Sequence, residues 1–222
     1  MFTPEHAVGL LVFIGFLFSI VVHECAHAIV ATWCGDDTAR LLGRITLNPV
    51  PHIDPFMSVI VPLSMLVMTQ GRIIFGGAKP VPVNIYRLRR PRRDMVWIAL
   101  AGPISNVMLA ILFVLAGNLL YFANPAESEF GQQLLKVLRR IVGLNLLLAC
   151  FNMIPVPPLD GSRVLAYFLP SDMALWLAQV ERFGLAIVAL LIFSGVLAPL
   201  LMPASLATSW LVKHLIFTVN IV

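Results

Sequence analysis

The sequence predicts an all-α integral membrane bundle: about five spanning helices, a re-entrant segment and short extended strands. Three observations carry that prediction. Of 222 residues, 59% are apolar and only 12% charged, where a soluble domain carries about 45–50% and about 25%. Mean hydropathy is +0.93, and so few ionisable groups cannot clothe a water-soluble domain of this size. Several apolar runs also reach the roughly 20 residues that a helix needs to cross hydrocarbon, and turn-forming or charged residues separate them. Disorder, collagen-like repeats and a small disulfide scaffold are excluded by the same figures.

The first helix is expected from about Ala7 to Trp33, stopping at Gly35-Asp36-Asp37, a C-terminal turn signal. A signal peptide is the competing reading, because Ala26-His27-Ala28 mimics a small-residue cleavage site. No basic residue precedes the apolar run, and a signal core seldom contains two histidines and a glutamate. Pro49, Pro51 and Pro55 then break helical structure. The apolar stretch Phe56–Met68, ended by Gln70-Gly71-Arg72, is nearer the roughly 10–14 residues of a re-entrant piece. Ala78–Asn84, with Pro80 and Pro82, reads as extended loop or edge strand.

Arg87, Arg89, Arg90, Arg92 and Arg93 form the one dense charge cluster, which marks a cytoplasmic loop by the positive-inside rule. Anionic lipid headgroups are compatible with it. The net charge of +4 would suggest nucleic acid in a soluble protein; in a membrane chain the loop arginines account for it, and no nucleic-acid partner is expected. Long apolar segments follow at Met95–Phe122 and Leu134–Ile154, with Pro125, Glu127 and Glu129 in the turn between them. Two more run from about Phe183 to Met202 and Ala204 to Val222, the last carrying Lys213 and His214. Cys25, Cys34 and Cys150 have no framework spacing and read as free thiols.

Ionisable residues inside apolar helices are costly and therefore functional candidates. The first helix holds three: His23-Glu24-Cys25-Ala26-His27, an H-E-x-x-H pattern. The histidines, four apart, share one helical face and can fill two corners of a zinc tetrahedron. Glu24 is close enough to manage a proton on water at the metal. The alternative, a histidine pair satisfied by polar neighbours, would bury three polar groups in lipid at a cost of about 2.5–3.5 kcal/mol for a mid-helix charge.

A catalytic zinc commonly takes three protein ligands. Among the remaining acids, Asp160 stands just beyond an apolar helix that Pro155, Pro157 and Pro158 must break, and such breaks are tolerated where they line a cavity. Taken alone, Asp160-Gly161 reads as a plain turn.

Together these residues resemble the site-2 protease family of intramembrane zinc metalloproteases. That family pairs H-E-x-x-H with N-x-x-P-x-P-x-L-D-G on a later helix, and Asn152 to Gly161 meets the second pattern without substitution. Gly102-Pro103-Ile104-Ser105-Asn106 is similar to the family's G-P-x-x-N element. The resemblance implies one Zn2+ per chain held by His23, His27 and Asp160, with Glu24 as general base and Asn152 holding substrate backbone or a developing oxyanion. Asn106 is either a substrate-site residue or interhelical glue. The substrate implied is a membrane-spanning protein cut in or beside its transmembrane helix. An inactive relative that binds such clients, or a metal-transport or sensing protein, are the competing functions.

A shared metal requires the His23/His27 helix and the Leu134–Ile154 helix to run in one direction, so Phe56–Met68 should dip in and return. The arginines then lie on the active-site side, which is expected to be cytoplasmic, with the N-terminus outside. A prokaryotic inner membrane is expected for this compact form, read as having no PDZ-like insertion and no CBS pair. One membrane-embedded domain is expected, with a catalytic core over about residues 7–170 and accessory helices over about 172–222. His52, beside Asp54, is either a support for the site or a locally satisfied loop histidine. Ala78–Asn84 offers a strand to which an unwound substrate could add.

Overall fold

A computed structural model describes residues 4–54, 60, 77–122 and 128–214. Among them the chain is helical, and no strand occurs. Helix α1 spans Pro4–Trp33 and α2 Thr38–Leu41; α3 spans Pro91–Phe122 and α4 Glu129–Asn152. Four shorter helices and a longer one follow: α5 Asp160–Phe168, α6 Ser171–Val180, α7 Gly184–Phe193, α8 Leu197–Leu200 and α9 Met202–His214. The expected re-entrant segment, Phe56–Met68, lies outside the described residues apart from Ile60. The segment 77–84 carries no regular secondary structure, so the expected short strands are not among the described elements.

Among the described residues two helices, α1 and α3, are long and apolar enough to cross a bilayer. Each exposes a row of large apolar side chains, including Leu10, Phe13, Ile14 and Leu17 on α1 and Met108, Ile111, Leu112 and Leu115 on α3. Such rows would aggregate in water and are at home in lipid; this is a membrane protein. The count of five spans does not follow. Helix α4 is long but carries Lys136, Arg139 and Arg140. The run expected from Phe183 to Met202 is broken: α7 ends at Phe193, and Gly195 sits at φ +74 before α8, a left-handed conformation that glycine adopts freely. The axis over residues 171–193 bends by 78°, and that pair counts as at most one further span.

The chain divides into two compact units, Met1–Ser19 with Pro103–Val222, and Ile20–Gly102. In the first, Val8 of α1 packs with Val137 and Ile141 of α4. Gly15 lets Ile141 lie against α1, because a Cβ there would intrude on the Ile141 side chain. Ala110 and Val114 of α3 pack with Leu135 and Val142 of α4, and Leu211 of α9 lies against that cluster. A polar tie crosses the same unit. Asn106 on α3 donates from Nδ2 to Asn145 Oδ1 on α4 at 3.0 Å, and Asn145 Nδ2 donates to the Ser19 hydroxyl on α1 at 2.9 Å. All three residues are fully buried, so in an apolar bundle the tie fixes the register of three helices.

In the second unit the end of α1 is fastened to the segment leading into α3. Ala31 packs with Leu88 and Ile98, and Ala28 with Ala39 and Val81. Gly35, at φ +109, turns the chain out of α1, and Arg89 N–H donates to the Cys34 carbonyl at 3.1 Å. Asp36 is the knot. Its carboxylate accepts the Thr38 hydroxyl at 2.5 Å, the Thr38 N–H at 3.0 Å and the Asn84 N–H at 2.6 Å. Burial alone would raise this carboxyl, but those hydrogen bonds, with the Arg87 charge, hold it below the ordinary carboxylate range. Asp94 starts α3 by accepting the Arg90 N–H at 2.7 Å, with Pro91 as the first helical residue.

Candidate metal centre

His23 and His27 project from the second half of α1 and are both buried, 7% and 6% exposed. Their Nε2 atoms face each other 3.0 Å apart, with the rings edge to face. Zinc–nitrogen bonds of about 2.0–2.1 Å in a tetrahedron place two ligand nitrogens roughly 3.3 Å apart. A change of a few tenths of an ångström takes the pair to that spacing. His27 Nδ1 lies 2.6 Å from the Ile98 carbonyl oxygen on α3. A carbonyl only accepts, so Nδ1 carries the hydrogen, and in the neutral ring Nε2 is then the nitrogen with the lone pair. A metal-binding imidazole uses that tautomer.

Gly102 lies beside the two imidazoles. A Cβ at that position would intrude on His27 Nε2 and on His23 Cε1 and Nε2. The helix presents bare backbone at the point where the two Nε2 atoms converge, leaving room that any side chain would fill. In the sequence this glycine stands only as part of the G-P-x-x-N resemblance; the structure gives it a place beside the imidazoles. Glu24, half-buried, is next to His23 on the same helix.

Asp160, the other candidate ligand, is set in its own unit where α4 ends. Asn152 is its last residue, and the chain turns through Met153–Leu159 before α5 begins at Asp160. Asp160 is 7% exposed, and its place in the first turn of α5 suits a carboxylate, since helix N-termini favour negative charge. Gly161 is forced by close approach: a Cβ there would meet the Met153 carbonyl and the Ile154 oxygen. The Ser162 hydroxyl and N–H both donate to the Leu159 carbonyl, at 2.7 Å and 3.0 Å, closing the turn around Asp160. Asn152 donates from Nδ2 to the Leu148 carbonyl at 3.0 Å, which leaves its second amide hydrogen for another acceptor. His23 and His27 in one unit, and Asp160 in the other, are buried side chains of the types that ligate metal. Two imidazoles and a carboxylate are a zinc-compatible donor set.

The remaining candidates sort themselves. Asn106 stands in the buried tie to Asn145. His52 is buried, and its Nε2 donates to the Thr46 carbonyl at 3.0 Å, so it is held locally, with Cys25 Sγ 3.9 Å away. The three cysteines are free thiols. Sequence reading missed Asn145 and Ser19; the available signal was a polar residue at the centre of an apolar helix, the same signal that singled out His23.

Residues 11–142 match the family model described as peptidase family M50, a stretch that includes His23, Glu24, His27, Gly102 and Asn106 but ends before Asn152 and Asp160. YwhC of Bacillus subtilis, provisionally named a zinc metalloprotease, is 38% identical over 80% of this chain and 77% of its own. Rip2 of Mycolicibacterium smegmatis, named in the same provisional way, is 31% identical over 86% of this chain and 69% of its own. MJ0611 of Methanocaldococcus jannaschii, likewise provisionally named, is 36% identical over 43% of this chain and 47% of its own. No solved structure gives a significant match. With the family model covering more than half of the chain, and a relative of this similarity over four-fifths of it, the chain belongs to peptidase family M50, the site-2 protease family.

Proposed function

We propose that this protein is an intramembrane zinc endopeptidase that hydrolyses a peptide bond in or beside the transmembrane helix of a substrate protein. The single observation that carries the reading is the paired Nε2 atoms of His23 and His27, converging over the bare backbone of Gly102 within a membrane helix. One zinc per chain is held by His23, His27 and Asp160. When bound, the ion supplies Lewis acidity, both to the scissile carbonyl and to water.

The chain's own residues do the rest. Glu24 takes the proton of the attacking water and passes it to the leaving amine. The Ile98 carbonyl holds the His27 ring in its ligand tautomer throughout. Asn152, with its second amide hydrogen, donates to the substrate backbone or to the oxygen on which negative charge develops. The substrate must unwind locally, since the carbonyl of a helical peptide is shielded by its own hydrogen bonds. Segment 78–84 suits such an unwound chain. Val81 and Val83 pack inward, Lys79 N–H is fixed to the His52 carbonyl and Asn84 N–H to Asp36, so an anchored segment is offered for strand addition.

The basic stretch Arg87–Arg93 sets this end of the molecule toward the cytoplasm, with the N-terminus outside, in a prokaryotic cell membrane.

The test is incubation of the purified full chain with a model single-span substrate in detergent, cleavage being located by mass spectrometry. Wild type cuts within or next to the span and Glu24→Gln does not. Equal cutting by both would refute the role of Glu24.

A further inference from the structure

Two contacts bind the Asp160 turn to the C-terminal helices, and the family motifs account for neither. The first is at Gly184, where α7 begins. A Cβ there would come within 2.7–2.8 Å of three ring carbons of Pro158, closer than real side chains approach. Backbone conformation does not ask for glycine, because φ −52 and ψ −42 are ordinary right-handed helix. Alanine would favour the helix, so the close approach to Pro158 explains the residue. The second contact is an ion pair. Arg163, three residues after Asp160 on α5, donates from Nη2 to Glu181 Oε1 at 3.0 Å. Glu181 opens the 3-10 turn that ends in Phe183, immediately before Gly184.

One elbow, Glu181–Gly184, therefore touches the chain on both sides of Asp160: at Pro158, two residues before it, and at Arg163, one helical turn after. Asp160 is strung between two fixed points. A carboxylate ligand is only as well aimed as the backbone carrying it, and supports of this kind are worth about 10–100-fold in metal affinity.

We propose that this elbow is a clamp that positions Asp160 for the metal, with Gly184, Glu181 and Arg163 as positioning residues. The C-terminal helices thereby serve the metal centre. The proposal rests on the reading that Asp160 is a zinc ligand.

The experiment is a zinc titration of the full chain in detergent against a chelator of known strength, with circular dichroism and gel filtration reporting the fold. Gly184→Ala weakens zinc binding about 10-fold. Gly9→Ala, whose added methyl meets nothing within 4 Å, leaves it unchanged. Glu181→Arg weakens it similarly, and the exchanged pair Arg163→Glu with Glu181→Arg returns it to within about threefold of wild type, a rescue that general destabilisation would not give. If Gly184→Ala fails to fold, the exchanged pair decides alone. Wild-type zinc affinity in Gly184→Ala and Glu181→Arg, alongside its loss in Asp160→Ala, would overturn the clamp and spare the ligand assignment. Failure of the exchanged pair to rescue would also overturn it. Undiminished zinc in Asp160→Ala would remove the ligand assignment, and the clamp with it.

Discussion

His27 Nδ1 donates to the carbonyl of Ile98 at 2.6 Å, across 71 positions of the chain. One helix thus sets the tautomer of a candidate metal ligand on another, through a backbone atom that no side-chain substitution can remove. Since the acceptor is a main-chain oxygen, the ring at position 27 is where the arrangement can be tested. His27→Gln keeps a polar side chain but loses the ring that spans from the Ile98 carbonyl to the metal. Zinc affinity is expected to fall by more than about 100-fold, read by chelator competition. Affinity within a few-fold of wild type would remove His27 from the ligand set.

Gly102→Ala puts a methyl group where the two Nε2 atoms converge. In an ordinary helix this change stabilises by about 0.8–1 kcal/mol. Here zinc content well below that of wild type is expected, in a chain that remains helical and monodisperse. Full zinc occupancy in Gly102→Ala would show that the space over this glycine is not needed by the metal.

Asp36 ties the end of α1 to Asn84 and Thr38. Its pKa is depressed in the fold, so its contribution is complete above the unfolded value of about 3.9 and is lost as pH falls below that through the folded value. Asp36→Asn is expected to cost about 2 kcal/mol near pH 7, from weakened charge-assisted hydrogen bonds. Thermal unfolding in detergent should show a constant gap between variant and wild type from pH 7 to about pH 5, closing below it. A gap that widens on acidification would contradict this role.

Asn145→Leu removes the centre of the tie that joins Asn106 and Ser19. Leaving buried polar groups unmatched costs about 1–3 kcal/mol, with membrane examples averaging about 0.6. The expected loss is about 1–2 kcal/mol, and Asn106→Leu with Asn145→Leu should cost less than the sum of the single changes. Strict additivity in detergent unfolding would show that the two amides act independently.

What the sequence revealed follows from which physics leaves a linear trace. Apolar runs placed α1 and α3 within a few residues of their observed bounds, Pro4–Trp33 and Pro91–Phe122, because length and hydropathy are one-dimensional properties. Helix α3 starts four residues before the expected Met95, since Asp94 closes on Arg90 N–H, and hydropathy assigns those charged residues to a loop. The break at Gly195 escaped the same reading: a left-handed residue interrupts a run without altering its hydropathy. His23, Glu24 and His27 were legible because charge in an apolar helix is conspicuous. Asn145, equally buried in an apolar stretch, is uncharged and belongs to no motif. Gly184 was invisible for a different reason, since its meaning lies in the distance to Pro158, a relation between segments that no local pattern encodes.

The most direct test of the central claim is the zinc content of the purified chain by elemental analysis, with Glu24→Gln and Asp160→Ala prepared alongside. One zinc per chain is expected in wild type and in Glu24→Gln, and much less than one in Asp160→Ala. A wild-type chain without zinc, or an Asp160→Ala chain with a full complement, would contradict the account.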